Sequence, residues 1–266
     1  MKIGFIGAAG NMASAIISGI LKSSYESESN LNLFDISVDK LQNYKSANIC
    51  ASVADVVKCS DYIFLAVKPQ IIFSVINEIK DEITDKKVLV SIAAGISIDA
   101  IKQAVGFDCK VVRVMPNTPL MLSEGASGVA YLPPVEKDEF EYVLGVFKTA
   151  GIAVAVDEDK INAVTAVSGS GPAYVFKFAK AIVEGAAELG LDQSVASKLM
   201  FQTLIGAATM LKDSGKSPQE LIDMVTSPKG TTLAALESFD TDNFDEIVKK
   251  AVKACHDRAV ELGKKD

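Results

Sequence analysis

The sequence is poor in the side chains that bind transition metals. Its 266 residues include one histidine, four cysteines and no tryptophan. The cysteines are Cys50, Cys59, Cys109 and Cys255, and no two of them have the short spacing of a zinc site. We therefore expect no metal centre, and we expect reduced thiols of the kind found in the cytoplasm.

An excess of positive charge is also missing. Lysine and arginine number 27 against 34 aspartates and glutamates, which gives a net charge of -7. No basic stripe would attract nucleic acid or an anionic membrane surface. With 49% of its residues apolar, the chain is long enough for one large or two modest domains, each with its own core.

The amino-terminal stretch superficially resembles a signal peptide, because Lys2 precedes an apolar run over 3–20. Glycines and Asn11 interrupt that run, which fits a strand, a turn and a helix better. We therefore expect a cytoplasmic protein with no membrane partner.

Short apolar runs alternate with amphipathic helical patterns through the first half of the chain. The runs lack polar alternation, which is typical of strands buried on both faces of a parallel sheet. They cover 3–6, 31–34, 62–67, 88–92 and 111–115, followed by 127–132 and 152–156 around a predicted helix over 135–149. This order predicts an α/β fold with a doubly wound, mostly parallel sheet.

After Asp157 the strands give way to long alanine-rich helical patterns over 174–189, 195–212 and 244–263. Small residues such as Gly185 and Gly206 let helices approach closely, which suits a compact helical domain or an intertwined subunit interface. We therefore predict a domain over 1–157 that contains the sheet and an all-α domain over 158–266.

A glycine-rich turn follows the first predicted strand, and a helical pattern follows the turn. Glycine permits a tight turn, while a helix start offers unpaired N–H groups and a positive dipole end to a pyrophosphate. The pattern predicts a dinucleotide site, and the alternative is a strand-to-helix turn without a ligand. The residues concerned are Ile6, Gly7, Ala8, Ala9, Gly10, Asn11 and Met12.

Asp35 follows the second predicted strand. A carboxylate at that place accepts hydrogen bonds from an adenosine ribose and repels the 2'-phosphate of NADP, which favours NADH over NADPH. The alternative is that Asp35 only caps the next helix, as Ser37 or Asp39 would do equally well.

Three further segments lie where predicted strands end. Val67, Lys68 and Pro69 follow a buried strand at the edge where ligands bind in such sheets, although Pro69 is also suited to a helix start with Lys68 in solvent. The small Ala94 leaves room for a nicotinamide ring or serves tight packing. Asn117 stands between two prolines, either as a rigid polar contact for a ligand or in a turn whose amide bonds its own backbone.

Two segments of the predicted helical domain are rich in small and hydroxyl residues. The N–H groups and hydroxyls of Gly230, Thr231 and Thr232 suit a substrate carboxylate, and the alternative is an ordinary helix capped by serine or threonine. Ser168 and Ser170 belong either to a loop that starts a helix or to a second wall of the same pocket.

Together with the glycine turn, four segments resemble the pyrroline-5-carboxylate reductase family. Their order and spacing match over nearly the whole chain. The resemblance implies a Rossmann domain followed by a helical domain that interlocks with a second subunit, so that each active site draws on two chains of a homodimer. Larger assemblies of dimers occur in that family. The segments are 66–69 (Ala-Val-Lys-Pro), 114–119 (Val-Met-Pro-Asn-Thr-Pro), 168–174 (Ser-Gly-Ser-Gly-Pro-Ala-Tyr) and 227–232 (Ser-Pro-Lys-Gly-Thr-Thr).

The resemblance also implies an activity: hydride transfer from NADPH or NADH to the C=N bond of 1-pyrroline-5-carboxylate, which gives L-proline in the last step of its biosynthesis. By the same resemblance the segment from Val67 to Pro69 lines the cofactor, Thr231 and Thr232 touch the substrate, and Glu158 approaches the ring nitrogen. We therefore take Glu158 and Thr232 as the candidate catalytic residues. A carboxylate near that nitrogen would stabilise a protonated iminium, although the residues alone suggest that Glu158 is a surface acid.

The sequence departs from the family pattern at two places. The family's turn usually reads Gly-x-Gly, whereas Gly7-Ala8-Ala9-Gly10 is one residue longer. Lys229 stands where the family usually has glycine; it either adds positive charge near a substrate carboxylate or points to solvent.

The sequence offers no clear general acid, since His256 lies beside Asp257 and Arg258 and reads as a solvated surface histidine. Two other functions fit less well. A hydroxyacid dehydrogenase would place a lysine where this chain has Val175, and Lys177 falls on another helix face. A nucleotide sensor without turnover would not need the matching substrate segments.

Overall fold

The computed structural model describes residues 1–263. Within these residues eight strands form a single sheet. They are β1 (Ile3–Ile6), β2 (Leu31–Phe34), β3 (Asn48–Ile49), β4 (Tyr62–Leu65), β5 (Val88–Ser91), β6 (Lys110–Met115), β7 (Gly125–Tyr131) and β8 (Gly151–Ala155).

The strand order is β3-β2-β1-β4-β5-β6-β7-β8, and every neighbouring pair is parallel except the antiparallel pair β6 and β7. The predicted doubly wound, mostly parallel sheet is therefore confirmed. The order reverses at β1, whose neighbours are β2 and β4. Such a reversal opens a crevice at the carboxyl ends of the strands, where ligands of these folds bind.

Helices connect the strands and then make up the rest of the chain. The long helical patterns predicted after residue 157 correspond to α7, α8 and α11, so the all-α character of this part is confirmed. The helices are α1 (Asn11–Lys22), α2 (Val53–Lys58), α3 (Ile72–Ile79), α4 (Ile98–Val105), α5 (Lys137–Lys148), α6 (Ile161–Val164), α7 (Gly171–Glu188), α8 (Gln193–Asp213), α9 (Pro218–Val225), α10 (Thr231–Thr241) and α11 (Phe244–Gly263).

The two faces of the sheet carry two separate apolar clusters. Phe5 and Phe64 stack with their ring centroids 4.6 Å apart, in the cluster that α1 and α5 cover. Ile63 and Leu65 belong to the other cluster, beneath α2, α3 and α4. Each fully buried side chain of this size contributes about 1.5–3 kcal/mol to folding. The central strands are therefore rigid, and the loops at their carboxyl ends are held in place.

The chain forms two compact units. One contains Met1–Pro172 with the chain from Ala254 onward, and the other contains Ala173–Lys253. In the second unit a small cluster around Val183 and Met200 is buried, whereas many large apolar side chains are exposed within this chain. The domain boundary predicted after Asp157 stays a prediction.

Across residues 1–263, no helix combines the length and the hydropathy needed to cross a bilayer. In the same residues, no group of three or more histidine, cysteine or acidic side chains is arranged to hold a metal ion.

Candidate active site

The glycine turn is held by bonds to the neighbouring strands. The N–H groups of Gly7 and Ala8 both donate to the Phe34 carbonyl, at 2.9 and 3.0 Å, and Gly10 N–H donates to the Gly7 carbonyl at 3.1 Å. Gly7 has φ +88°, and a Cβ there would lie 2.6 Å from the Ala66 carbonyl oxygen. Only glycine satisfies both conditions, since the left-handed backbone and the close carbonyl exclude a side chain.

The longer turn places its additional N–H against Asp35. Ala9 N–H donates to Asp35 Oδ2 at 3.0 Å, and Ser37 N–H donates to Asp35 Oδ1 at 2.8 Å. No cation is paired with this carboxylate among residues 1–263. The alternative that Asp35 only caps the next helix is wrong, because no side chain caps the short 3-10 helix Val38–Asn43.

The start of α1 fits a dinucleotide pyrophosphate. Its N-cap is Gly10, in an extended conformation, and no side chain caps the helix. The first N–H groups of a helix have no intrahelical partner, so those of Asn11 and Met12 face the crevice beside β1 as anion donors. A Cβ at Gly10 would lie 3.2 Å from the Gly7 carbonyl oxygen. A larger residue at position 10 would therefore crowd the turn beside the helix start.

Val67, Lys68 and Pro69 lie on the opposite side of the same crevice. β4 pairs with β1 in parallel, and Leu65 is the partner of Ile6. The segment that follows β4 therefore lies beside the glycine turn that follows β1. Pro69 starts a 3-10 helix, as one of the two predictions for it stated, and Lys68 is exposed. Their contact with a cofactor stays a prediction.

Ala94 lies in the loop that connects β5 to α4. Ala94 is half-buried, and Gly95 has φ +80° with its Cβ position 3.2 Å from Leu262 Cβ of α11. The tight packing that was the alternative for Ala94 is therefore found at its neighbour Gly95, against the last helix. Room for a nicotinamide ring at Ala94 stays a prediction.

The Asn117 side chain forms hydrogen bonds with two other segments and not with its own backbone. Its Nδ2 donates to the Ser168 carbonyl at 3.0 Å, and its Oδ1 accepts from Ala126 N–H at 2.9 Å. The side chain is buried, with 7% exposure. The prediction that its amide only satisfies a local turn is therefore wrong, because the tertiary partners come from β7 and from the loop before α7.

Ser168 lies in a short π-helical turn, Thr165–Gly169. Ser170 follows this turn and directly precedes α7. Ser168 Oγ donates to the Val164 carbonyl at 3.2 Å, while the Cys255 thiol donates to Ser170 Oγ at 3.2 Å. The segment does start a helix, and it also lies beside Asn117 at the carboxyl end of β6. The contact from Cys255 was missed, since nothing in the cysteine spacing relates it to Ser170.

Glu158 is part of a buried ion pair. Its Oε1 accepts from Ile98 N–H at 2.7 Å and from Arg113 Nη1 at 3.3 Å, and its side chain is 16% exposed. Arg113 also donates to Asn162 Oδ1 at 3.2 Å. The expectation of a plain surface acid is therefore wrong, although its role near a ring nitrogen stays a prediction.

Sequence reasoning did not identify Arg113. Burial lowers its pKa below the usual range, although the Glu158 carboxylate opposes this change. Its Nε has no hydrogen-bond partner. The sequence signal that could have identified Arg113 is its position as a charged residue in the middle of the apolar strand β6. Glu158 also lines a surface cavity of about 350 Å³ with Tyr131 and Phe140.

In the second unit, α10 begins with an uncapped turn. Its N-cap is Gly230, and no side chain bonds to its first N–H groups. The alternative of an ordinary helix capped by serine or threonine is therefore wrong. The expectation that Gly230 N–H binds an anion is wrong too, because it donates to the Ser227 carbonyl at 2.9 Å. The N–H groups at Thr231 and Thr232 are available to an anion. Lys229 is exposed, with φ +58°. Binding of a substrate here stays a prediction.

His256 is partly exposed, and its Nδ1 lies 3.1 Å from Asp257 Oδ1. This partly exposed position agrees with the prediction of a surface histidine.

Known proteins resemble this chain in both of its halves. A family model described as pyrroline-5-carboxylate reductase dimerisation matches residues 158–262, and one described as NADP oxidoreductase, coenzyme F420-dependent, matches residues 2–95. The chain is 39% identical to a pyrroline-5-carboxylate reductase of Methanosarcina acetivorans, over 99% of this chain and 98% of the relative. It is 36% identical to that of Escherichia coli, with the same coverage of both chains.

Solved structures of similar proteins point to the same family. The pyrroline-5-carboxylate reductase of Coxiella burnetii has a TM-score of 0.92 at 35% identity and covers 99% of both chains. The pyrroline carboxylate reductase of Plasmodium falciparum, solved with NADP bound, has a TM-score of 0.89 at 32% identity over 99% of this chain and 98% of that one. The chain belongs to the pyrroline-5-carboxylate reductase family.

Proposed function

We propose that this protein reduces the C=N bond of 1-pyrroline-5-carboxylate with NAD(P)H and releases L-proline, the last step of proline biosynthesis. The observation that carries this proposal is the similarity to reductases of this name over 99% of the chain. Both halves needed for the reaction, the dinucleotide crevice and the helical region, fall within that span.

The chemistry divides between cofactor and protein. The reduced nicotinamide supplies the hydride, and the protein supplies position and electrostatics. We propose that the first N–H groups of α1, near Asn11 and Met12, hold the pyrophosphate. Asp35 then receives the adenosine ribose, which favours NADH. The remaining cofactor contacts proposed are Ile6, Gly7, Ala8, Ala9, Gly10, Val67, Lys68, Pro69, Ala94 and Asn117.

The substrate is an anion with a basic imine nitrogen. Thr231 and Thr232 suit its carboxylate, because their N–H groups at the uncapped start of α10 and their two hydroxyls supply several donors. Gly230 precedes them as the N-cap and leaves room for the carboxylate, since it has no side chain. Ser168 and Ser170 supply further hydroxyls. The product needs a hydride at the imine carbon and a proton at the nitrogen, and Glu158 favours the protonated iminium electrostatically.

The proposal extends to the assembly. Dimerisation of the chain follows from its family region at 158–262, and we propose that dimers form larger assemblies. We propose a domain boundary after Asp157, with a Rossmann domain over 1–157 and a helical domain over 158–266. We also propose that the protein is located in the cytoplasm.

The test is steady-state oxidation of NADH and NADPH by the purified protein with 1-pyrroline-5-carboxylate, with product analysis by chiral chromatography. We expect L-proline in an amount equal to the coenzyme consumed. Coenzyme binding without any turnover would contradict the reductase and favour a sensor.

Thr232→Ala tests the substrate site separately. Because the hydroxyl is proposed to contact the imine substrate and not the coenzyme, we expect KM for the imine to rise about tenfold, the value of one charge-assisted hydrogen bond. KM for the coenzyme should stay unchanged. Ser238→Ala, in the same helix, is the matched control, and an equal rise in both KM values would refute the assignment.

A further inference from the structure

The backbone N–H groups of the glycine turn are all used within the protein. Those of Gly7 and Ala8 bind the Phe34 carbonyl, that of Gly10 binds the Gly7 carbonyl, and that of Ala9 binds Asp35 Oδ2. The turn itself therefore offers no free N–H to a phosphate. An incoming pyrophosphate must be bound by the start of α1, whose direction depends on how the turn is held.

Three of these four bonds go to backbone carbonyls, which no substitution removes. The fourth depends on one side chain, because only the Asp35 carboxylate satisfies Ala9 N–H. Ala9 is half-buried, and an N–H left without a partner there would cost free energy or force the turn to move. Asp35 thereby controls the shape of a turn that is one residue longer than Gly-x-Gly.

The same carboxylate keeps capacity for a ligand. An ionised carboxylate has about four acceptor positions, and Ala9 and Ser37 N–H occupy one on each oxygen. The remaining positions can accept from the two hydroxyls of a ribose but repel a 2'-phosphate. The two backbone bonds fix where this remaining charge points, since they hold both oxygens at once.

We infer that Asp35 is a positioning residue that clamps the glycine turn through Ala9 N–H and, with the same carboxylate, selects the coenzyme whose ribose carries a free 2'-hydroxyl. Turn shape and coenzyme choice are therefore coupled through one side chain. The coenzyme half of this inference rests on the proposed function. The clamp itself does not, because it exists in the free protein.

The experiment compares Asp35→Ala, which removes clamp and charge, with Asp35→Asn, which removes the charge but leaves one oxygen for Ala9 N–H. Asp39→Ala is the matched control, since Asp39 is an exposed acid of the same loop with no hydrogen bond or ion pair among residues 1–263. Two measurements are made on each full-length protein: hydrogen exchange at the Ala9 amide without coenzyme, and binding of NADH and NADPH by equilibrium fluorescence titration.

We expect the Ala9 amide to exchange at least about tenfold faster in Asp35→Ala, as for loss of a charge-assisted bond, and to stay largely protected in Asp35→Asn and Asp39→Ala. Asp35→Asn should bind NADPH more tightly than both the wild type and Asp35→Ala, because it alone loses the charge and keeps the turn. NADH binding should weaken most in Asp35→Ala.

Unchanged exchange at Ala9 in Asp35→Ala would overturn the clamp. NADPH binding by Asp35→Ala as tight as by Asp35→Asn would overturn the coupling, because charge alone would then set the preference. Failure of the wild type to bind either coenzyme would refute the proposed function and the selection half, whereas the exchange data would still decide the clamp.

Discussion

Gly7 is the residue on which the crevice depends most directly. Its left-handed backbone costs about 1 kcal/mol with any other residue, and a Cβ would in addition meet the Ala66 carbonyl at 2.6 Å. Gly106 has a similar φ of +96° but nothing within 4 Å of its Cβ position. Substitution of Gly106 therefore measures only the free-energy cost of the left-handed backbone. Substitution of Gly7 adds the cost of the steric clash with the Ala66 carbonyl.

Gly7→Ala should lower the free energy of unfolding by more than about 2 kcal/mol and abolish dinucleotide binding. Gly106→Ala should lower it by only about 1 kcal/mol and leave binding intact. Urea unfolding and coenzyme titration measure both. Equal destabilisation by the two substitutions would mean that the Ala66 carbonyl can move aside.

Arg113 is a buried cation whose charge is balanced by one carboxylate. Its side chain is 6% exposed and pairs with a Glu158 carboxylate that is itself mostly buried. Removing one partner of a buried pair leaves an uncompensated charge, so Arg113→Met should destabilise the protein by about 3 kcal/mol. The exposed pair of Lys160 and Asp159 provides the control, and Lys160→Met should leave the urea midpoint unchanged. Equal midpoints for the two variants would contradict this account.

Residues of the site were predictable where a backbone requirement or a family pattern marks them. Gly7 and Asp35 belong to that class. Arg113 and Cys255 do not, because their partners Glu158 and Ser170 are 45 and 85 residues away along the chain. Periodicity and composition carry no information on such contacts, which only the folded chain produces.

At the scale of elements, Asn117 ties three of them together. It connects the end of β6 to the start of β7 and to the π-helical turn that carries Ser168. Asn117→Ala leaves the Ser168 carbonyl and Ala126 N–H without partners, so we expect a loss of about 2–4 kcal/mol in unfolding free energy. The rate of imine reduction should fall as well, since Ser168 and Ser170 lose their support.

Two further variants sharpen that test. Asn117→Asp keeps an acceptor for Ala126 N–H but loses the donor to Ser168, so its stability should be intermediate. Thr118→Ala, at an exposed neighbour, should match the wild type. If Asn117→Ala unfolded at the wild-type urea concentration, the amide would not hold these segments together.

The central strands were predicted within two residues because they are nearly continuous apolar runs, buried at every position in β1, β4 and β5. β3 was missed. It has two residues, both exposed, and its pairing with β2 is a tertiary effect. The π-helical turn was missed too, because no local propensity distinguishes it from the helices around it.

In the assembled molecule, the most informative surface is that of the second unit, where many large apolar side chains are exposed within this chain. Leu189, Leu199, Phe201 and Ile205 are 90%, 60%, 55% and 60% exposed within this chain. Exposed apolar surface of this extent marks a subunit interface, in agreement with the dimerisation family found there. The long helices α7 and α8 were predictable from their pattern, whereas the short helix α9 was missed. The periodicity of one chain does not identify the partner surface that covers these helices.

Leu199→Lys should therefore weaken the dimer. We expect sedimentation velocity to show at least a two-chain species for the wild type and a shift to monomer for the variant, with lower helical stability. Gln42→Lys makes the same charge change at an exposed residue of the first unit and should leave the mass unchanged. A variant that stays fully dimeric at micromolar concentration would place Leu199 outside the interface.

Isotope labelling follows the transferred hydride itself. The protein is incubated with 1-pyrroline-5-carboxylate and NADH or NADPH that carries deuterium at the transferred position of nicotinamide C4, and the proline is analysed by NMR. We expect one deuterium on the ring carbon bonded to nitrogen and remote from the carboxylate. Proline without deuterium at that carbon, or no proline at all, would contradict direct reduction of the imine.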